Sequence, residues 1–120
     1  MYKRQNYQSV WGIIIGSGFG GSFVYKKQVI EGINQVAGDW GHQPLPYPTQ
    51  EEYELNPKCE VGNCGRPLCA EQFISGIGFT KIFNSKYGTN FRTREIVALE
   101  ANGDERAKKE FALYEDRFAR

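Results

Sequence analysis

Four side chains in this sequence have the chemistry to hold a transition metal: His42, Cys59, Cys64 and Cys69. Zinc favours four thiolate or imidazole ligands in a tetrahedron, and three cysteines with one histidine are a common structural set. His42 is the only histidine, and four residues separate each neighbouring pair of cysteines. That gap is the upper end of the usual spacing of about two to four. The plainer alternative is three small buried thiols and an ordinary packed histidine. The odd cysteine count, with no basic start and apolar leader at the N-terminus, fits a reducing, cytoplasmic compartment.

Two acids flank this set. Asp39 precedes the histidine and Glu71 follows the last cysteine. Carboxylates beside a metal-ordered loop can accept hydrogen bonds from sugar hydroxyls, although spacing alone favours solvated surface charge. The run Gln50-Glu51-Glu52-Tyr53-Glu54 reads as a solvated loop face. Further upstream, Gly16-Ser17-Gly18-Phe19-Gly20 follows a β-branched apolar run. Glycines let backbone amides approach a phosphate, and the Ser17 hydroxyl adds a donor. A plain hairpin turn has the same sequence, and a dinucleotide-binding fingerprint would need a helix to follow, where here a hairpin follows.

These residues must be positioned by a chain of 120 residues with a formal net charge of +1. That length suits one domain or part of one, and close to two-thirds of its surface can be buried without disulfides. The balanced charge argues against a nucleic-acid arm or a polybasic membrane patch. No apolar run approaches the roughly 18 residues of a membrane span. Val10 to Ile15 predicts a buried strand, Gly16 to Gly21 a turn, and Ser22–Tyr25 with Gln28–Ile30 a hairpin. Its Lys26-Lys27 turn is a weak one, since neither residue favours positive φ. Residues 31–69 hold five glycines and five prolines and predict a long ordered loop, with one strand near His42 to Leu45. A stretch this long needs a function or a metal to order it. Ala70 to Tyr87 then predicts a helix interrupted by Gly76 and Gly78, Thr93 to Ala101 a second, and Asp104 the cap of a third running to the C-terminus. Ala107, Phe111, Tyr114 and Phe118 fall on one face of that last helix. It is still amphipathic at Arg120, so the chain is expected to be cut rather than finished.

The motifs in this order resemble the ROK family of bacterial sugar kinases and repressors. The resemblance rests on Ile13 to Gly21, the Gly38-Asp39-Trp40-Gly41-His42 box, Cys64-Gly65-Arg66-Pro67-Leu68-Cys69-Ala70-Glu71 and the Phe73-Ile74-Ser75-Gly76 helix, and covers Trp11 to Arg120. Gly41 to Pro46 and Phe73 to Gly76 look most like fructokinases of the manno(fructo)kinase type, with N-acetylglucosamine kinases slightly less similar. The resemblance implies an α/β fold: a partial actin-like ATPase lobe with a β-hairpin, a zinc-ordered loop and C-terminal helices. It implies that Gly16, Ser17, Gly18 and Gly20 face the terminal phosphates of ATP. Asp39, His42 and Glu71 would bind the sugar, and His42, Cys59, Cys64 and Cys69 a structural zinc ion. The intact protein would phosphorylate a hexose, first of all fructose, with ATP and Mg²⁺, and would form a homodimer. The alternatives are an N-acetylglucosamine or glucose kinase, or a sugar-responsive repressor that binds DNA through an added helix-turn-helix.

The sequence departs from the family pattern in several places. Asp39 stands where the family has a glutamate, Leu68 where it has a glycine, and Cys59 lies three residues before the family's first cysteine position, here Gly62. The opening Asp-x-Gly-Gly-Thr turn, the Asn-Asp-x-Asn stretch with its general base, and the adenosine-binding glycine turn have no counterpart. Residues 10–120 are therefore expected to be a part of the kinase domain truncated at both ends and inactive alone. Residues 1–9 are expected to be a non-native or disordered start. Met1 to Gln5 can be back-translated to GTG-TAT-AAG-AGA-CAG, a string resembling a transposase end sequence.

Overall fold

The computed structural model describes residues 7–55 and 64–120. Residues 1–6, and with them most of the expected non-native start, lie outside the described residues, as does Cys59. The chain opens with strands β1 (Ser9–Ile15), β2 (Phe19–Tyr25) and β3 (Gln28–Val29), an antiparallel sheet in the order β1-β2-β3. Five helices follow: α1 (Gln50–Leu55), α2 (Ala70–Ile74), α3 (Gly76–Tyr87), α4 (Thr93–Ala101) and α5 (Glu105–Ala119). No helix among the described residues is long and apolar enough to cross a membrane.

The glycine turn is tighter than its sequence predicts. Ile15 pairs with Phe19, so only Gly16-Ser17-Gly18 connect β1 to β2, and Gly20 and Gly21 belong to the strand. Glycine is needed in the strand because other backbone passes over it. A Cβ on Gly21 would strike the Gly12 carbonyl oxygen and approach the Trp40 ring. The Lys26-Lys27 turn forms despite its residues, with φ of 47° and 67°. Those angles match the twist of a two-residue hairpin, and pairing of the flanking strands outweighs the cost of two non-glycine residues in the left-handed region.

β1 corrects the expectation of a buried strand. Ile13, Ile14 and Ile15 are 48, 70 and 43 % exposed. β1 is the sheet edge, bonded to β2 alone in the sheet. The strand near His42 to Leu45 is also absent. Trp40–His42 form one 3-10 turn, and Pro44 makes an isolated antiparallel bridge with Cys69. Prolines at 44, 46 and 48 remove the donors a longer ladder would use. Residues 50–54 are the reverse case: instead of a solvated loop they form most of α1, and Glu52 is 2 % exposed. Thr49 starts that helix with a reciprocal cap. Its amide donates to Glu52 Oε2 at 2.8 Å, and the Glu52 amide donates to Thr49 Oγ1 at 3.3 Å.

The predicted helix over 70–87 is two helices. Ser75 is extended, with ψ at 155°, and its hydroxyl accepts from the Gly78 amide at 3.0 Å, capping α3. Gly88 ends α3 in the left-handed conformation, and Asp104 caps α5 through the Arg106 and Ala107 amides. Two apolar clusters hold these elements together. Leu45, Ala70, Phe73, Ile74 and Ile82 form one, and Phe79, Phe83, Ile96 and Ala107 the other. Tyr114 packs against both, and its hydroxyl donates to the Ile74 carbonyl at 2.9 Å. Phe118, expected on the same buried face of α5, is 41 % exposed.

Candidate functional site

Ala70 begins α2 where the chain leaves the bridge with Pro44, so Cys69 and Glu71 stand on either side of a fixed helix start. Two backbone hydrogen bonds fasten this point to the histidine segment: Leu45 N to Leu68 O at 2.7 Å and Ala70 N to Gln43 O at 2.8 Å. They bring His42 beside Cys69, with Nδ1 3.6 Å from Sγ. His42, Cys64 and Cys69 place one ligand atom each within 4.8 Å of one another. Two sulfurs about 2.3 Å from a tetrahedral zinc ion would lie about 3.8 Å apart, so this donor set needs only a small contraction to fit the ion. Two soft thiolates and an imidazole are the chemistry zinc prefers. Leu68 holds φ at 53° beside the cluster. That is the left-handed region a glycine would adopt without strain, and Leu68 remains there because its side chain packs on the Phe73 cluster.

Glu71 joins this cluster to the glycine turn. Its carboxylate is 6 % exposed overall as a residue, and Oε1 accepts from the Phe19 amide at 3.0 Å. Oε2 lies 3.3 Å from His42 Nδ1 and has no hydrogen-bond partner among the described residues. A Cβ on Gly18 would come within 2.7 Å of Glu71 Oε1, so the absence of a side chain at 18 is what lets the acid reach the turn. Gly41 is needed for the same kind of reason, since its Cβ would strike the Phe19 carbonyl oxygen.

The turn itself separates two clefts. On one side Gly16, Ser17, Gly18, Gly20 and Asp39, with Ile14 and Phe19, line the more polar of the two, an opening of about 370 Å³ with both polar and apolar walls. On the other, Ile15, Gly16, Ser17, Ile77, Thr93 and Val97 line a mostly apolar cleft of about 490 Å³. The N-terminus of α3 abuts the turn, with the Gly76 amide donating to Gly16 O at 2.8 Å. A helix N-terminus favours negative charge nearby. The expected site residues thus fall into two connected groups. Gly16, Ser17, Gly18, Gly20 and Asp39 share the polar cleft, whereas His42, Cys64, Cys69 and Glu71 cluster behind it, linked through Phe19. Asp39 is exposed and Glu71 is buried, so the two acids expected to act together occupy different environments.

Two features lie outside the sequence expectations. Trp40 stacks edge-on against both Trp11 and Phe19, at 5.6 and 4.7 Å between ring centroids, and carries the sheet onto the His42 segment. Its box residue gives no sign of this, because the partners are distant in sequence. The second is Glu52, whose Oε1 accepts from Arg117 Nε at 2.8 Å and Arg120 Nη2 at 2.6 Å. Here a signal existed: Thr49-Gln50-Glu51-Glu52 has the Thr-x-x-Glu form of a capping box. The two arginines hold the Glu52 carboxyl down at about 2 against the opposing effect of burial.

Comparison with known proteins adds a consistent set of likenesses. The sequence model described as "ROK family" matches residues 1–120. An N-acetyl-D-glucosamine kinase of Photobacterium profundum is 36 % identical over 105 residues, covering 86 % of this chain and 34 % of its own length. The chain therefore spans about a third of the curated relatives it matches. Among solved structures, a ROK hexokinase from Thermus thermophilus aligns with a TM-score of 0.72 at 24 % identity, over 88 % of this chain and 32 % of that one. A ROK family transcriptional regulator, a homologue of the E. coli MLC protein, aligns with a TM-score of 0.73 at 18 % identity, over 95 % of this chain and 29 % of that one. Kinase and regulator share the fold, so these two likenesses establish the architecture: an α/β part of the actin-like ATPase fold.

Proposed function

Because the chain belongs to the ROK family, we propose that it is the phosphate- and sugar-holding segment of an ATP-dependent hexose kinase. The observation that carries this reading is the glycine turn shared by two clefts. Transfer of a phosphoryl group requires donor and acceptor to meet at one point, and a glycine turn between an apolar and a more polar cleft suits that. Gly16, whose own amide donates to the Gly18 carbonyl at 2.9 Å, closes the turn, and the amides of Ser17 and Gly18 with the Ser17 hydroxyl take the terminal phosphates of ATP, the α3 N-terminus adding favourable potential. Gly20 keeps the strand behind the turn free of side-chain bulk. Asp39 accepts hydrogen bonds from hydroxyls of the sugar in the more polar cleft, and Glu71 offers Oε2, which accepts no hydrogen bond from the described residues, as a further acceptor beside His42. His42, Cys64 and Cys69, with Cys59 as the fourth ligand, hold a zinc ion whose contribution is to fix the sugar loop. Mg²⁺ neutralises the phosphates in the intact enzyme, and the general base comes from outside this chain. The protein acts in the cytoplasm as a homodimer, a setting in which its thiols stay reduced.

Fructose is the acceptor favoured by the Gly41–Pro46 and Phe73–Gly76 stretches. N-acetylglucosamine is the second reading, favoured by the 36 % identity to the N-acetyl-D-glucosamine kinase of Photobacterium profundum. Steady-state kinetics of the complete protein tests both. The ratio of kcat/KM for the two hexoses decides the acceptor. Asp39→Asn should raise the hexose KM about 10-fold or more, the worth of one hydrogen bond to a charged group, with the KM for ATP unchanged. A variant that changes only the KM for ATP would remove Asp39 from the sugar site.

A further inference from the structure

The segment that follows the histidine, Gln43 to Thr49, has little means of holding its own shape. Three of its seven residues are proline, and Tyr47 is in the left-handed region at φ 46°. Its carbonyls are gripped from outside. Arg120 donates through Nη1 to Pro46 O at 3.2 Å and to Tyr47 O at 2.5 Å, and through Nη2 to Glu52 Oε1. Arg117 donates to the same carboxylate oxygen, while its guanidinium lies 5.4 Å from the Phe73 ring centre, two residues beyond Glu71. Glu52 Oε2 in turn holds the Thr49 amide. Glu52 and Arg117 are each 2 % exposed.

One carboxylate therefore collects the end of the loop, the start of α1 and the last turn of α5. The other end of the same loop is the bridge that sets His42 against Cys69. We propose that Glu52, Arg117 and Arg120 are positioning residues for the metal and sugar loop: they preorganise His42 and Cys69 at ligand distance from the far end of the segment. The planar fork of Arg120 is what allows one side chain to hold two carbonyls and a carboxylate together, which a lysine cannot do. Residues that orient ligands without touching the metal commonly change its affinity by about 10- to 100-fold. This proposal rests on the metal reading given above.

The test is Zn²⁺ affinity of the 120-residue chain, read by competition with a chromophoric chelator, alongside the unfolding midpoint of the metal-free chain. Arg120→Met should bind Zn²⁺ about 10-fold more weakly. Arg120→Lys should recover little of that loss, because it keeps the charge and loses the fork. Glu52→Gln retains an acceptor for the Thr49 amide and serves as the second variant should Arg120→Met not fold, with the same expected weakening. Wild-type binding with unchanged affinity in the folded variants, even at a lower unfolding midpoint, overturns the clamp and leaves the metal reading intact. A wild-type chain that binds no Zn²⁺ removes the metal reading and the clamp with it.

Discussion

At the scale of single residues, the molecule depends on side chains that are absent as much as on those present. Gly41 sits against the Phe19 carbonyl and Gly18 against Glu71. Gly41→Ala should destabilise the chain by about 1–3 kcal/mol, because the added methyl meets backbone rather than a movable side chain. Urea unfolding with an unchanged slope would measure it. Glu71 is the residue on which both halves of the site converge, one oxygen committed to the Phe19 amide and the other beside His42. Glu71→Gln keeps the shape but replaces one oxygen with an amide that cannot accept. In the complete protein this should lower kcat/KM for the hexose about 10- to 100-fold, the range for losing a hydrogen bond to a charged group. Unaltered kinetics would mean that Glu71 only shapes the turn.

Among elements, α5 does the most to unite the structure, reaching the loop through Arg120, α1 through Glu52 and both apolar clusters through Tyr114. The Glu52–Arg117 pair gives this a pH signature. The folded Glu52 carboxyl titrates at about 2, against burial that pushes it the other way, because both arginines and the Thr49 amide favour its charged form. A carboxyl depressed on folding contributes stability that is complete above its unfolded value near 4.3 and is lost as pH falls toward 2. The shift corresponds to about 3 kcal/mol. Unfolding midpoints should therefore drop between roughly pH 4.5 and 2, and Glu52→Gln should be less stable at pH 7 while showing a shallower acid limb. The elements that the sequence makes legible are those specified locally. Thr93–Ala101 and the Asp104-capped helix follow from their own caps and periodicity, and the hairpin of Tyr25 with Gln28 from its apolar runs on either side of a two-residue turn. Ser75 was harder to see as a break, because a serine interrupts a helix only when its hydroxyl finds a specific amide, here Gly78. The burial of Glu52 was invisible in an acidic run, since its partners lie 65 and 68 residues away. The candidate site divides in the same way: the nearness of His42, Cys64 and Cys69 is suggested by residue type, whereas the separation of Asp39 from Glu71 depends on how the strand and helix pack.

Seen whole, the molecule has a radius of gyration of 16.1 Å and extents of 47 × 35 × 23 Å. About 14 Å would be typical for a compact chain of this length, so the molecule is elongated. Its outer strand carries Trp11, Ile13, Ile14 and Ile15 at 43 to 70 % exposure and no charged residue. Such an edge invites pairing. The 120-residue chain should associate as its concentration rises, and Ile14→Lys should suppress this in sedimentation velocity; equal association in that variant would place the contact elsewhere. The same extended shape leaves the glycine turn at the meeting of two clefts, which is the basis of the kinase reading. The most direct measurement is hexose-dependent release of ADP from ATP by the complete protein, compared with its Gly18→Val variant. The wild type should release ADP only when fructose or N-acetylglucosamine is present. In Gly18→Val that rate should fall about 100-fold, the scale expected when groups at the phosphates are displaced by about 1 Å. A wild-type protein that binds ATP and hexose yet releases no ADP, or a Gly18→Val variant as active as wild type, would contradict the account.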